Sequence, residues 1–362
     1  MDIIFNGIGK NPSKVQLFAD SAILPSLNGF RGISILLVII SHCFFYTSNF
    51  YLQTFSGYFG VTIFFVISGY LITTLLLREK EKTGAISLKR FYVRRALRII
   101  PVSYLFLLVL MFLNQNLHLG NPFFNYISSF LFIKNTPIIF HDDVYTNHYW
   151  TLSIEEQFYI IFPWILSLNI RAYVYLTSVL IVLLPIGIYC DFYHIGVFKS
   201  DIIHILFSFI SQSSPILIGS LAAILISRRI IDFRKIYNPS SLLNISLLVF
   251  AALILSSSHK FIPSTIKPTL SALIIIYVLL NYMEKSETWL YKILNSKILN
   301  YLGILSYSLY IWQQIFTFHL PWKSFLGMPN TPLVNVFLLV LVSLLSYHFY
   351  EKFFLNLKKK FV

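Results

Sequence analysis

The fold that this sequence of 362 residues predicts is an all-α polytopic bundle of about ten transmembrane helices, with both termini cytoplasmic. Three observations carry the prediction. Hydrophobic residues make up 57% of the chain against 12% charged, with a mean hydropathy of +0.73, so polar groups are too few to cover a water-soluble body of this size. Ten apolar windows, each long enough to cross a bilayer, recur along the chain. Lysine and arginine alternate in density between successive connections. One side holds Lys10, Lys14, the eight between residues 78 and 98, Arg171, Arg228, Arg229, Arg234, Lys235, Lys285, Lys292, Lys297, Lys352 and the lysines at 358, 359 and 360. The other holds only Lys134, Lys199, Lys260, Lys267 and Lys323, with Arg31 left at the mouth of the first span. That bias of 22 to 5 places both termini inside.

The windows run 29–48, 58–77, 99–116, 150–168, 172–190, 202–227, 242–257, 267–283, 299–318 and 332–354. Residues 1–27 lack a short apolar stretch followed by small residues, so they read as a retained cytoplasmic tail and not a cleaved signal. The longest interruption, 117–149, contains Asn121, Pro122, Asn135, Pro137, Asp142 and Asp143 and reads as a loop with a short surface or re-entrant helix near 123–133. Residues 355–362 form a basic cytoplasmic tail. With no repeat and no separable soluble module, residues 1–362 read as one membrane domain. The formal charge of +14 therefore reflects topology, and no basic aqueous module is present to bind nucleic acid. Cys43 and Cys190 form no disulfide framework and no metal spacing, so no metal is expected.

Ionisable groups in lipid are costly and mark functional positions by default. Arg31 and His42 stand eleven residues apart in LNGFRGISILLVIISHCFF. In a helix they share one face about 16 Å apart along the axis. His42 is either a core histidine bonded to a neighbouring helix or a chemical group, and Arg31 taken alone reads as a snorkelling anchor. In the second window Phe64 and Ser68, and Phe65 and Gly69, form i, i+4 pairs with a small-residue notch, which suits either helix packing or a narrow channel. Arg90, Arg94, Arg95 and Arg98 precede Pro101. Arg95 and Arg98 share a face, and their guanidinium forks suit phosphate binding as well as anionic lipid headgroups. In HYWTLSIEEQFYIIFPW, Ser153 and Glu156 have capping-box spacing. Glu155 then falls in the first turn, where it is a solvated interfacial acid or orients a neighbouring imidazole. Trp150 and Tyr159 are interfacial aromatics or stacking surfaces for a sugar ring.

Taken together, these segments resemble the acyltransferase-3 family of integral membrane acyltransferases. The resemblance rests on Arg31 followed after ten residues by His42, on FFVISG from Phe64 to Gly69, and on RALR from Arg95 to Arg98. It continues through WTLSIEEQF from Trp150 to Phe158 and YLGILSYSLYIW from Tyr301 to Trp312. It implies ten transmembrane helices in a bacterial inner membrane, acetyl-CoA as the usual donor, and O-acylation of an extracytoplasmic carbohydrate such as a surface polysaccharide or lipopolysaccharide O-antigen. Two positions depart from the family's pattern. Thr62 stands where an acidic residue often precedes the Phe-Phe pair, and Gln313 stands where a histidine often follows the SYSLYLW-like run. Gln313 cannot act as a base near neutral pH, so His42 carries that burden alone. The chain resembles the stand-alone members that lack an esterase-like domain.

The mechanism so implied places donor phosphates on Arg95 and Arg98, with Arg31 assisting. The pantetheine arm rises past Phe64, Phe65, Ser68 and Gly69 toward His42, which deprotonates a sugar hydroxyl while Glu155 orients the outer cleft near Trp150 and Tyr159. Direct transfer and an acetyl-histidine intermediate both fit. Cys43 is a poor nucleophile because adjacent helical residues point about 100° apart. The expected partners are a carbohydrate acceptor, free or lipid-linked, and membrane lipids. A glycan or lipid-linked-sugar transporter or flippase is the rival reading, since buried His and Arg also suit a substrate path.

Overall fold

A computed structural model describes residues 26–43, 57–137, 144–257, 263–317 and 331–361. The expected tail before residue 26, together with Asp142 and Asp143, lies outside these. Among the described residues the regular structure is entirely helical. In chain order the helices are α1 (Leu27–Cys43), α2 (Gly57–Thr83), α3 (Leu88–Leu117), α4 (Phe123–Phe130), α5 (Tyr149–Leu168), α6 (Ile170–Phe192) and α7 (Asp201–Ser208). They continue as α8 (Ser214–Ser227), α9 (Ser241–Ser256), α10 (Lys267–Asn281), α11 (Trp289–Leu294), α12 (Lys297–Thr317), α13 (Pro332–Leu345) and, after one π turn at Ser346–Glu351, α14 (Lys352–Lys358).

Among the described residues the apolar windows fall mostly on helix, and the short helix expected near 123–133 is α4. Four helical runs are long and apolar enough to cross a membrane: α2, α3, α6 and Pro332–Phe361. Four more, α1, α8, α9 and α10, are apolar but shorter. The sixth window differs most from expectation, because α7 ends at Ser208 and α8 begins only at Ser214 with Pro215 in its first turn. Proline lacks an N–H and favours the start of a helix, which accounts for the break. The third window differs in the other direction. Its helix begins at Leu88 and runs through Pro101, so Arg90 to Arg98 belong to the same rod as the apolar segment. The basic stretch at 355–361 is likewise helix and packs against α3.

The apolar window of α2 is 72% buried and that of α6 only 22%, so α2 lies at the centre of the bundle and α6 at its rim. Rim side chains such as Phe112, Val182, Leu242, Leu333 and Phe349 are exposed. In a bilayer that apolar surface meets lipid, which relieves the cost it would carry in water. Around α2 two backbone crossings set the frame. α2 crosses α8 at Gly69 and Gly219, and α1 crosses α12 at Gly32 and Gly303. A Cβ on Gly69 would land inside the van der Waals radius of the Ile216 carbonyl, and one on Gly219 inside that of Val66. Beside the α2–α8 crossing, Thr73 and Tyr173 both meet the Ser220 hydroxyl at 2.5 Å. Gly219→Ala is therefore expected to destabilise the protein by about 1–3 kcal/mol through overpacking, read as a lowered unfolding temperature in detergent.

Side-chain partners fix the relative directions of the central helices. Asn28 meets Gly303, and Arg31 bonds Ser306, so α1 and α12 run parallel. Tyr307 bonds the Ile99 carbonyl and Trp312 packs on Phe106, so α12 and α3 are parallel too. Tyr92 bonds the Ile160 carbonyl while Tyr149 bonds Ser103, so α3 and α5 are antiparallel. Tyr58 stacks on Trp150 and Ser68 bonds Glu155, making α2 and α5 parallel. One end of the bundle thus collects the starts of α1, α3 and α12, and the other collects their ends with the start of α5.

Candidate active site

A cavity opens between α1, α2, α3, α5 and α12. Its walls include Arg31, Phe64, Phe65, Ser68, Arg95, Arg98, Thr151, Glu155, Tyr159, Ser306 and Tyr310. Eight of the eleven residues singled out from the sequence therefore line one space. The three guanidiniums gather at the end where α1 and α3 begin. Arg31 Nη2 donates to Ser306 Oγ at 3.0 Å. The Arg95 guanidinium lies 5.0 Å from the Tyr159 ring centroid and 5.9 Å from that of Phe91, a cation–π seat that holds it toward the cavity.

Glu155 is the anionic centre of the cavity. Its Oε1 accepts from Ser68 Oγ at 2.8 Å and its Oε2 from Tyr159 OH at 3.3 Å, within Coulombic reach of Arg31 and Arg95. This differs from the first-turn position expected for it. The helix begins at Tyr149, not after Ser153, so Glu155 sits almost two turns in. The Ser153–Glu156 capping box does not form: Ser153 Oγ accepts from the Lys134 amide at 3.0 Å and donates to the Tyr149 carbonyl at 2.9 Å. Among the described residues Glu155 consequently bonds hydroxyls and faces arginines, not an imidazole. Glu155→Gln removes the charge that those groups share and is expected to cost about 1.5–3 kcal/mol of stability, measurable by thermal unfolding.

His42 lies outside this lining, farther along the same column. Its Nδ1 is 2.8 Å from the Val38 carbonyl. A carbonyl only accepts, so Nδ1 carries the proton and Nε2 keeps the basic lone pair. Gln313 and His148 are its neighbours. Between the cavity and this group stand Thr151 and Tyr310, whose hydroxyls are 2.6 Å apart and both reach the His148 carbonyl, at 3.0 and 3.1 Å. Two matched stripes build the column. On α12 it runs Ser306, Tyr310, Gln313; on α5 it runs Tyr159, Glu155, Thr151, with His148 just ahead of the helix. Arg31 and His42 span the same length on α1, about 16 Å.

His148 is a residue that the sequence reading passed over. It is 4% exposed and packs edge-on against Phe106, Tyr149 and Tyr310, and among the described residues neither ring nitrogen has a well-formed hydrogen bond. Buried polar groups are normally bonded, so such an imidazole points to a functional use. Its spacing of seven and eleven residues from Glu155 and Tyr159 was a signal available in the sequence.

Gly69 and Trp150 do not reach the cavity. Gly69 is spent on the α2–α8 crossing, where any side chain would strike backbone. Trp150 stacks on Tyr58 at 6.1 Å and meets Phe65 edge-on at 6.1 Å, buttressing the cavity wall from behind. Both cysteines are free, and among the described residues no cluster of His, Cys, Asp and Glu could hold a metal ion.

The fold and cavity define a helical membrane protein with an internal polar column, basic at one end and carrying two histidines at the other. The chain belongs to the acyltransferase-3 family: that family's model, described as an acyltransferase domain, matches residues 24–351. It is similar to the peptidoglycan O-acetyltransferase OatA of Listeria monocytogenes, 37% identical over 152 residues that cover 39% of this chain and 24% of the relative. A Staphylococcus aureus protein provisionally named an O-acetyltransferase is 29% identical over 317 residues, covering 80% of this chain and 50% of its own. A Bacillus subtilis protein provisionally named a peptidoglycan O-acetyltransferase is 28% identical over 358 residues, covering 91% and 54%. The chain thus spans about half the length, or less, of these curated relatives. No solved structure matches it.

Proposed function

We propose that this chain is a membrane O-acyltransferase that moves an acetyl group from acetyl-CoA to a hydroxyl of an extracytoplasmic carbohydrate. The names of the relatives favour peptidoglycan over lipopolysaccharide as the acceptor class. The observation that carries the reading is the column itself: cations at one end, a basic imidazole nitrogen at the other, and hydroxyls between. Arg31, Arg95 and Arg98 bind the donor's phosphates. A pantetheine arm, roughly 15 Å long at ordinary bond lengths, spans the distance from these arginines to His42.

At that end His42 Nε2 takes the proton of the sugar hydroxyl. The alkoxide oxygen bonds to the acetyl carbonyl carbon, the C–S bond breaks, and the departing thiolate recovers the proton from the imidazolium as CoA thiol. Thr151 and Tyr310 hold the partition through which the thioester passes, and His148 positions the acceptor side.

The helix directions support ten alternating spans with both termini cytoplasmic. The first, third and ninth windows run parallel to one another, the second parallel to the fourth, and the third antiparallel to the fourth, as strict alternation requires. The arginines then face the cytosol, where acetyl-CoA is made, in line with the lysine and arginine bias. The reading is tested by incubating membranes that contain the full protein with labelled acetyl-CoA and peptidoglycan fragments. Base-labile label on the glycan is expected; label that stays on CoA would instead indicate a transporter.

A further inference from the structure

A cation that the sequence reading assigned to topology lies on the segment packed along the arginine-bearing helix α3. Lys358 is the last residue of α14, which packs along α3. Two contacts pin this segment in place. Arg94 Nη1 donates to the Phe361 carbonyl at 2.9 Å, one turn beyond Lys358, while Arg94 Nη2 pairs with Glu79 at 3.1 Å. Ahead of α14, the π turn brings Glu351 inward to accept from Ser308 on α12. A π turn adds a residue to the helical turn and rotates the segment after it, which is how such turns re-aim side chains.

The result is a half-buried lysine with four guanidiniums, Arg31, Arg94, Arg95 and Arg98, in Coulombic reach. Three of the nearby carboxylates, Glu79, Glu155 and Glu351, are bonded to other groups. Glu79 is on Arg94, Glu155 is on Ser68 and Tyr159, and Glu351 is on Ser308 and near Arg98. Glu156 lies near Arg95. Among the described residues Lys358 has no ion pair of its own. Like charges repel, so a fold that holds a lysine against four guanidiniums gains from a multivalent anion placed among them. A lysine that served only to anchor the chain at the membrane surface would snorkel away from them.

We infer that Lys358 is a donor-specificity residue: it completes, from α14, the site that binds the phosphorylated nucleotide portion of the acyl donor, leaving the arginines on α1 and α3 for the phosphates nearest the arm. This rests on the proposed use of acetyl-CoA and extends it by assigning selection of the nucleotide portion to a helix remote in sequence from the arginines.

The test compares two donors on the full membrane protein: acetyl-CoA, and S-acetylpantetheine, which has the same thioester and arm but no phosphates. Lys358→Ala is expected to raise the KM for acetyl-CoA about tenfold, the size of one charge-assisted hydrogen bond, with kcat little changed. The KM for S-acetylpantetheine stays as it was, and Lys358→Arg restores most of the loss. Lys352→Ala, an exposed position on the same helix, leaves both donors unaffected. An unchanged KM for acetyl-CoA in Lys358→Ala, or an equal shift with both donors, overturns the inference while leaving the donor reading intact. A wild-type protein that uses both donors equally well overturns the inference and the proposed donor together.

Discussion

His42→Ala is expected to lower acetyl transfer by about 10²–10⁴-fold, the range that a positioned general base supplies, while the KM for acetyl-CoA changes little. Val38 accepts from Nδ1 at 2.8 Å and thereby leaves Nε2 as the basic nitrogen. Gln313, beside it, has an amide that cannot take a proton at neutral pH. In the proposed mechanism the donor's phosphates bind at the opposite end of α1, about 16 Å away, so donor affinity and the chemical step are expected to separate in this variant. Steady-state kinetics with membranes containing His42→Ala protein check this, and full retained activity would remove His42 from the mechanism. A fall in apparent donor affinity with an unchanged maximal rate would move His42 into binding.

Replacing Arg95 and Arg98 together with alanine is expected to have the opposite signature. Each guanidinium that pairs with phosphate contributes about 1.5–3 kcal/mol, so the double variant raises the KM for acetyl-CoA by at least about 100-fold. Arg95 is held on the Tyr159 ring and next to Glu155, so its loss also loosens the cavity wall. The single Arg98→Ala variant separates the two effects, because among the described residues Arg98 has no cation–π seat on the cavity wall, although it lies near Glu351. An unchanged donor dependence in the double variant would return both residues to the role of topology signals.

Much of the helical frame was legible because lipid imposes one simple demand, that long apolar runs form helices. The apolar windows located most helices among the described residues, but did not show that the sixth is broken before Pro215. The candidate site was legible where a charge was too costly to be idle. Arg31, Arg95, Arg98 and Glu155 meet in one cavity, as do Phe64, Phe65, Ser68 and Tyr159. The depth of Glu155 was not legible, since Ser153 and Glu156 mimic a capping box while tertiary packing starts the helix at Tyr149. Gly69 illustrates a different limit. A small residue in a helix serves packing and channel equally well until the partner is known, and here the partner is the α8 backbone at Ile216 and Ser220. His148 and Lys358 were hidden because each sits beside an obvious explanation, an aromatic interface pair in one case and a basic stretch after an apolar helix in the other.

The central claim is that donor and acceptor meet the protein at opposite ends of one column. The direct measurement uses purified full-length protein in sealed vesicles, with labelled acetyl-CoA confined to one compartment and peptidoglycan fragments to the other. The account predicts label on the glycan across the membrane, abolished by His42→Ala. Transfer that occurs only when donor and glycan share a compartment would contradict it.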